Sequence, residues 1–194
     1  MNSKEAEKYF KGGKSYEVVD STDLYNKSDV NPVETQTPAP KYDPSRMALA
    51  RTSWGEGRNQ GRDGMHLIQN VINNRANSGG TYNWPDNVFD VTRQRKQFSA
   101  WNEGDPNKAK MEALDPNSEN QQFRDAYEIS DKPLPQELQK IFGDADHYHT
   151  DKVSPDWSKS PKMRKLGQHG SHIFYTTKPG TGVTPAANMT GGTL

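Results

Sequence analysis

One carboxyl group in the sequence stands among residues that suit it to proton transfer. Glu56 lies between Gly55 and Gly57 and follows Trp54, near the end of a segment with helical spacing. The two glycines allow a ligand to approach closely, and the indole ring supplies an apolar wall. Desolvation at such a position disfavours the charged form of a carboxyl group and suits it to donate a proton. The alternative is an ordinary solvated glutamate that pairs with a neighbouring arginine.

A second candidate cluster combines aromatic rings with polar side chains. Gln97, Phe98, Ser99 and Trp101 lie within five consecutive positions. Flat apolar faces beside groups that form hydrogen bonds are typical of a carbohydrate groove, where the rings contact sugars and the polar groups bind hydroxyls. The alternative is a loop that buries two aromatic rings in the core.

The histidines form a third group, concentrated late in the chain. His147 and His149 make a His-x-His pair, and His169 and His172 follow. Such a pair with a distant histidine can hold zinc and leave one coordination position open. The helical His-Glu-x-x-His pattern is absent, and alternate strand residues also face the same way for packing reasons. We therefore expect these histidines to form structural hydrogen bonds, with no metal ion and no other cofactor.

The composition limits what the protein can bind. The 194 residues include 25 Lys and Arg and 25 Asp and Glu, so the formal net charge is zero. This balance argues against a general nucleic-acid binder, which needs a basic excess. No apolar run approaches the ~20 residues that span a bilayer, and the absence of cysteine removes disulfides and thiolate chemistry. We expect neither nucleic acid nor membrane among its partners.

The composition of the two ends predicts one compact domain between extended arms. Residues 1–42 are polar and become rich in Pro and Thr, and residues 178–194 are rich in Gly, Thr, Pro and Ala. Such segments have little apolar surface to bury and favour extended or flexible backbone. We predict an N-terminal arm at 1–42, a compact domain at 43–177 and a flexible tail at 178–194. The N-terminus carries charges where a signal peptide has an apolar stretch, so no signal peptide is expected.

Helical spacing predicts the elements that must position the candidate residues. Asp43 and Pro44 form a typical helix start, because the Asp side chain accepts from free backbone N–H groups and Pro suits the first helical position. A longer helix is predicted over 63–79 from apolar residues three and four positions apart, and 88–91 fits a short strand or a turn. Short helices are predicted at 108–114, 121–130 and 135–142, and a strand at 172–176. The predicted fold class is mainly α (α+β) with one small β element.

Five blocks of the sequence form an ordered set: LARTSWGEGR at 49–58, GMHLIQNVINNRANSG at 64–79, WPDNVFDVTRQRKQFSAW at 84–101, ADHYHTDKVSPDW at 145–157 and GSHIFYT at 170–176. Taken in order, these blocks resemble the SleB-type cell-wall hydrolase family, which includes spore cortex-lytic enzymes and phage lysins. In this family Tyr is usual where this chain has Trp54, and Ala is usual where it has Gly57.

The resemblance implies a lysozyme-like fold and cleavage of the glycan strands of peptidoglycan. It implies the lytic transglycosylase or muramidase type of reaction, between N-acetylmuramic acid and N-acetylglucosamine, with Glu56 as the general acid and base. The expected residues for substrate binding or support of Glu56 are Trp54, Gln97, Phe98, Ser99, Trp101, His147, Tyr148 and His172.

Two other functions stay open at this stage. One is a structural virion adaptor that keeps the hydrolase fold without turnover, motivated by the changes at Trp54 and Gly57. The other is an N-acetylmuramoyl-L-alanine amidase. The polar arms predict a bacteriophage product, either a free lysin or a virion enzyme whose arms at 1–42 and 178–194 bind tail or portal proteins. The expected location is the phage virion, or the host cytoplasm followed by release to the cell wall.

Overall fold

The computed structural model describes residues 41–179, which form six α-helices and a three-stranded sheet. The arms predicted at 1–42 and 178–194 lie outside the described residues, except at 41–42 and 178–179. Within the described range, no helix is both long enough and apolar enough to cross a bilayer. The elements are α1 (Pro44–Gly57), α2 (Gly61–Ala76), α3 (Val88–Arg93), α4 (Pro106–Ala113), α5 (Gln121–Ile129), α6 (Gln136–Phe142), β1 (His147–Thr150), β2 (Arg164–His169) and β3 (His172–Thr176).

The first two helices form the centre of the fold. The Asp43 side chain accepts a hydrogen bond from the backbone N–H of Arg46 at 2.7 Å, so the predicted start of α1 is confirmed. Helix α2 begins at Gly61, two residues before the predicted start, because a 3-10 turn at Arg58–Gln60 leads directly into it. It ends at Ala76 rather than at 79, where the chain enters a turn.

Close packing between α1 and α2 depends on Gly57. A Cβ atom at this position would lie 2.4 Å from Cδ1 of Ile68, which is fully buried on α2. The glycine therefore lets the two helix axes approach without displacing the core side chain.

The short segment at 88–91 is part of helix α3 rather than a strand. Asn87 precedes it and its side chain accepts from the backbone N–H of Asp90 at 2.9 Å, which satisfies a free donor of the first turn. Val91 is fully buried in one of the hydrophobic clusters that hold the helices together. The helix is therefore fixed by its cap and by its contacts with the core.

The sheet is antiparallel, in the order β1-β3-β2. The predicted strand at 172–176 is confirmed as β3, the central strand. Pairing places Tyr148 opposite Phe174 and His147 opposite Tyr175. Because successive side chains on a strand alternate between faces, Tyr148 and His147 lie on opposite faces of the sheet.

The loop after α3 contains a residue with a strained backbone. Lys96 has φ = 65°, in the left-handed region that costs a residue with a Cβ about 1 kcal/mol. We expect Lys96→Gly to raise the free energy of unfolding by about 1 kcal/mol and the Tm by about 2–4 °C. Thermal denaturation followed by circular dichroism measures both.

The matched control for this change is Lys110→Gly. Lys110 is an exposed residue inside helix α4, where the same substitution should lower the Tm because glycine is a poor helix former. If Lys96→Gly also lowered the Tm, the contacts of the Lys96 side chain would stabilise the fold by more than the backbone strain costs.

Candidate active site

The carboxylate of Glu56 receives hydrogen bonds from two further segments of the chain. Glu56 lies in the last turn of α1 and is half-buried. Its Oε1 accepts from the Ser99 hydroxyl at 3.0 Å and from the backbone N–H of Ala100 at 2.9 Å. Its Oε2 accepts from the hydroxyl of Tyr148, on β1, at 3.3 Å. One side chain therefore joins the helical part of the fold to the sheet.

Gly55 explains how the segment that carries Ser99 comes so close to α1. This segment is a 3-10 turn at Ser99–Trp101. A Cβ atom at Gly55 would lie 2.7 Å from Cβ of Ala100 and 2.4 Å from Sδ of Met111. The space beside Gly55 is thus filled by protein, as it is beside Gly57, and the expectation that these glycines admit a ligand is corrected. Gly55 lets the turn with the donor groups approach the carboxylate, whereas Gly57 lets α1 and α2 pack closely.

Tyr148 is held in a donor state by its surroundings. Burial raises the pKa of Tyr148 well above its usual value, the negative charge of Glu56 raises it further, and the charge of Arg75 opposes the change. The phenol therefore keeps its proton throughout the physiological pH range. It can therefore donate a hydrogen bond to Oε2 whenever Glu56 is charged.

His172 supports Tyr148 from the same face of the sheet. It is 4% exposed, and its ring packs edge-on against Tyr148 with 5.0 Å between the centroids. Burial lowers the pKa of His172, and the nearby His169 adds to this, so the ring is neutral at neutral pH. The structure thus places this predicted site residue behind the phenol ring.

His147 lies on the opposite face of the sheet from Tyr148. Its ring lies between Trp84 and Trp157, with centroid distances of 5.4 and 5.1 Å, and its Nδ1 is 2.8 Å from Oδ1 of Asp146. Burial raises the pKa of Asp146, but hydrogen bonds from His147 and Thr177 outweigh this and lower it. The structure does not bring His147 into contact with Glu56, because the strand alternation turns it away.

The three predicted aromatic residues of the groove are largely part of the packing. Trp54 is 6% exposed in the core and donates its indole N–H to Asn120 Oδ1 at 3.3 Å, and Phe98 is 2% exposed. Trp101 is half-buried and donates to Thr52 Oγ1 at 2.8 Å. For Trp54 and Phe98 the expectation of substrate contact is corrected, because neither ring has appreciable free surface.

Arg75 is a residue near the site that the sequence interpretation missed. It is 5% exposed; its Nε donates to the carbonyl of Asp146 at 2.7 Å and its Nη1 to Oε1 of Gln97 at 3.0 Å. Burial lowers its pKa, while Tyr148 and Asp146 oppose this, and an arginine remains a cation under these conditions. Arg75 therefore ties α2 to the start of β1 and to predicted site residue Gln97.

The position of Arg75 on α2 indicates this role. It stands three residues after Ile72 and seven after Ile68, both fully buried, so it lies on the apolar face of the helix. A charge on an apolar face needs hydrogen-bond partners, which is the feature that would have identified it.

Between residues 41 and 179, no group of three or more His, Cys, Asp or Glu side chains is arranged to hold a metal ion. Both ring nitrogens of His149 are already engaged, Nδ1 with the carbonyl of Thr150 at 2.9 Å and Nε2 with the hydroxyl of Tyr175 at 3.0 Å.

A family model described as Cell Wall Hydrolase matches residues 59–175 of this chain. The matched region includes Ser99, Tyr148 and His172 and begins three residues after Glu56. No curated protein matches the sequence significantly.

A solved structure has the same fold. The catalytic domain of the Bacillus cereus SleB protein superposes with a TM-score of 0.50 and 21% sequence identity, and the match covers 74% of this chain and 98% of that domain. The mainly α fold class with a small sheet is therefore confirmed, as is the SleB-type resemblance.

Proposed function

Because this chain belongs to the cell wall hydrolase family, we propose that it is a lytic transglycosylase that uses Glu56 as its general acid and base. The family supports peptidoglycan hydrolysis in general. The bond we propose is the glycosidic bond between N-acetylmuramic acid and N-acetylglucosamine.

The observation that carries this proposal is the set of donors around the Glu56 carboxylate. Its three hydrogen-bond partners are a hydroxyl, a backbone N–H and a phenol. Two of them occupy Oε1, so a proton on the carboxyl group belongs on Oε2. When the carboxyl group is protonated, the Tyr148 hydroxyl can rotate and accept a hydrogen bond from the Oε2 proton. When substrate is bound, the same proton can instead be donated to a substrate oxygen. The arrangement therefore gives the carboxyl group one oxygen for orientation and one for proton transfer.

The proposed reaction needs one carboxyl group. Glu56 donates the Oε2 proton to the glycosidic oxygen as the bond from that oxygen to C1 of muramic acid breaks. The 6-hydroxyl of the same sugar then attacks C1 and gives its proton back to Glu56, which forms a 1,6-anhydro product. Since the nucleophile is part of the substrate, the second carboxylate of a two-carboxylate glycosidase is not required.

Mass spectrometry of the products from purified peptidoglycan tests this assignment. We expect muropeptides that end in 1,6-anhydro-muramic acid, one water lighter than ordinary ends. Reducing muramic acid ends would show a lysozyme-type hydrolase, and free stem peptides would show an amidase. Intact sacculi that bind the protein without any release would favour a structural adaptor.

The phage origin, the virion or host location and the binding of tail or portal proteins stay predictions from the sequence. They depend on the arms at 1–42 and 178–194. A pull-down of each arm with assembled phage particles would test them.

A further inference from the structure

A cationic cleft lies beside the 3-10 turn at Ser99–Trp101, which donates hydrogen bonds to the Glu56 carboxylate. It has a volume of about 440 Å³ and is lined by the segment from Arg93 to Lys96 and by Trp101. Trp101 ends the 3-10 turn whose first two residues donate to Oε1 of Glu56. A 3-10 turn rises about 2 Å per residue, so this turn spans about 6 Å. The cleft and the carboxylate thus share one short structural element.

Two positive charges of this cleft have no ion-pair partner among the described residues. Arg95 and Lys96 are exposed, and neither forms an ion pair with any residue between 41 and 179. The acidic residue in the lining is Glu103, whose carboxylate is paired with Lys108 at 3.0 Å. Three cations therefore line the cleft, and its acidic side chain, Glu103, is paired with Lys108.

Arg93 has a fixed position in the same cleft. Its guanidinium lies 3.4 Å from the centroid of the Trp101 ring. Burial lowers the pKa of Arg93, the opposite charge of Glu112 raises it and the like charge of Arg51 lowers it. An arginine stacked on an aromatic ring is held in place while its N–H groups stay available to a carboxylate.

The backbone strain at Lys96 adds a second kind of evidence. This lysine has φ = 65°, where glycine would fit without cost. Strained residues of this kind concentrate at ligand-binding positions. A lysine at a position that favours glycine indicates that its positive charge has a function.

We propose that this cleft binds the free carboxylates of the stem peptides, so that the enzyme prefers glycan strands that carry peptides to bare strands. The inference rests on the proposed function, because it concerns the strand that Glu56 cleaves. Stem peptides start from the lactyl group of muramic acid and carry several carboxylates. Guanidinium groups bind carboxylates through paired, charge-assisted hydrogen bonds, and the cleft offers two of them with an ammonium group.

The test compares two substrates and two double variants. The substrates are phosphate-free glycan strands with intact stem peptides, and the same strands after an amidase has removed the peptides. The cleft variant is Arg95→Gln with Lys96→Gln. The control is Arg164→Gln with Lys165→Gln, which removes two exposed cations of β2 that do not line the cleft.

The measured quantity is the ratio of the KM for bare strands to the KM for peptide-bearing strands. We expect a ratio of about five or more for the wild type and the control variant, and about one for the cleft variant, since each ion pair contributes modestly. An unchanged ratio in the cleft variant would overturn the inference. The inference would also be overturned if the preference for peptide-bearing strands appeared only after phosphate-containing wall polymers had been added back.

Failure of the proposed function has a different result. A lysozyme-type hydrolase would give reducing ends in place of anhydro ends, and the KM ratio would still apply. An amidase or a structural adaptor would leave the glycan of both substrates uncut. The cleft is in that case judged by the Kd values for the two strands, measured by fluorescence polarisation with labelled strands. A Kd ratio of about one for the wild type overturns the inference, and a ratio of about five that the cleft variant abolishes supports it.

Discussion

Tyr148→Phe should lower kcat/KM on peptidoglycan by about 10- to 100-fold. The variant keeps the ring that packs against His172 and Phe174 but removes the hydroxyl that donates to Oε2 of Glu56. A hydrogen bond to a charged group contributes about 1.5–3 kcal/mol, which corresponds to this range of rates. The release of soluble muropeptides from sacculi measures the loss.

The pH dependence of the wild-type enzyme tests the protonation state assigned to Tyr148. In the wild type the pKa of Tyr148 is raised by burial and by Glu56. The phenol should therefore keep its proton beyond pH about 10, where an ordinary tyrosine begins to lose it. We expect that deprotonation of Tyr148 causes no loss of activity on the alkaline side of the wild-type pH–rate profile.

The control for this prediction is Tyr127→Phe. Tyr127 lies on α5, and its hydroxyl forms no hydrogen bond with another residue in the range 41–179, while its ring packs against Tyr42. This variant should keep wild-type activity and the wild-type pH profile. Wild-type activity in Tyr148→Phe as well would show that the hydroxyl does not assist Glu56.

The elements that could be predicted are those with strong local features. The Asp43-Pro44 start and the apolar face of α2 are properties of neighbouring residues, so they can be read without knowledge of the fold. Strand β2 could not be predicted, because most of its side chains are polar and partly or fully exposed. What fixes β2 is its backbone pairing with β3, which no local pattern records.

The candidate site shows the same division. Glu56, Ser99 and Tyr148 were each identified in the sequence and meet in the structure. Trp54 was wrongly assigned to the same site as Glu56. Residues two positions apart on a helix face in nearly opposite directions, so Trp54 enters the core while Glu56 faces the sheet.

A similar geometric reason applies to His147. It adjoins Tyr148 in the chain, but neighbouring residues on a strand face opposite sides. The sequence interpretation grouped the two because it identified the histidine cluster without assigning strand β1. Arg75 was missed because its contribution depends on Gln97 and the carbonyl of Asp146, both distant in the sequence.

Glu56→Gln should reduce the rate of glycan cleavage by at least about 10³-fold, since a group that acts as both acid and base supplies a large share of the catalysis. The amide is nearly isosteric with the carboxyl group. Its oxygen can still accept from Ser99 and Ala100, and its NH₂ group can donate to the Tyr148 hydroxyl. The fold should therefore be retained, with a Tm within about 2 °C of the wild type.

The charge-matched control is Glu119→Gln. Glu119 is an exposed glutamate in the loop before α5, so the same substitution there should leave both the rate and the Tm unchanged. Circular dichroism of both variants verifies that equal amounts of folded protein enter the assay.

The most direct measurement is the amount of muropeptide that each protein releases from purified sacculi, quantified by liquid chromatography with mass spectrometry. The account predicts anhydro-muropeptides from the wild type and from Glu119→Gln, and no release above the buffer level from folded Glu56→Gln. Release by Glu56→Gln at the wild-type rate would contradict it, because an amide at that position has no acidic proton to transfer.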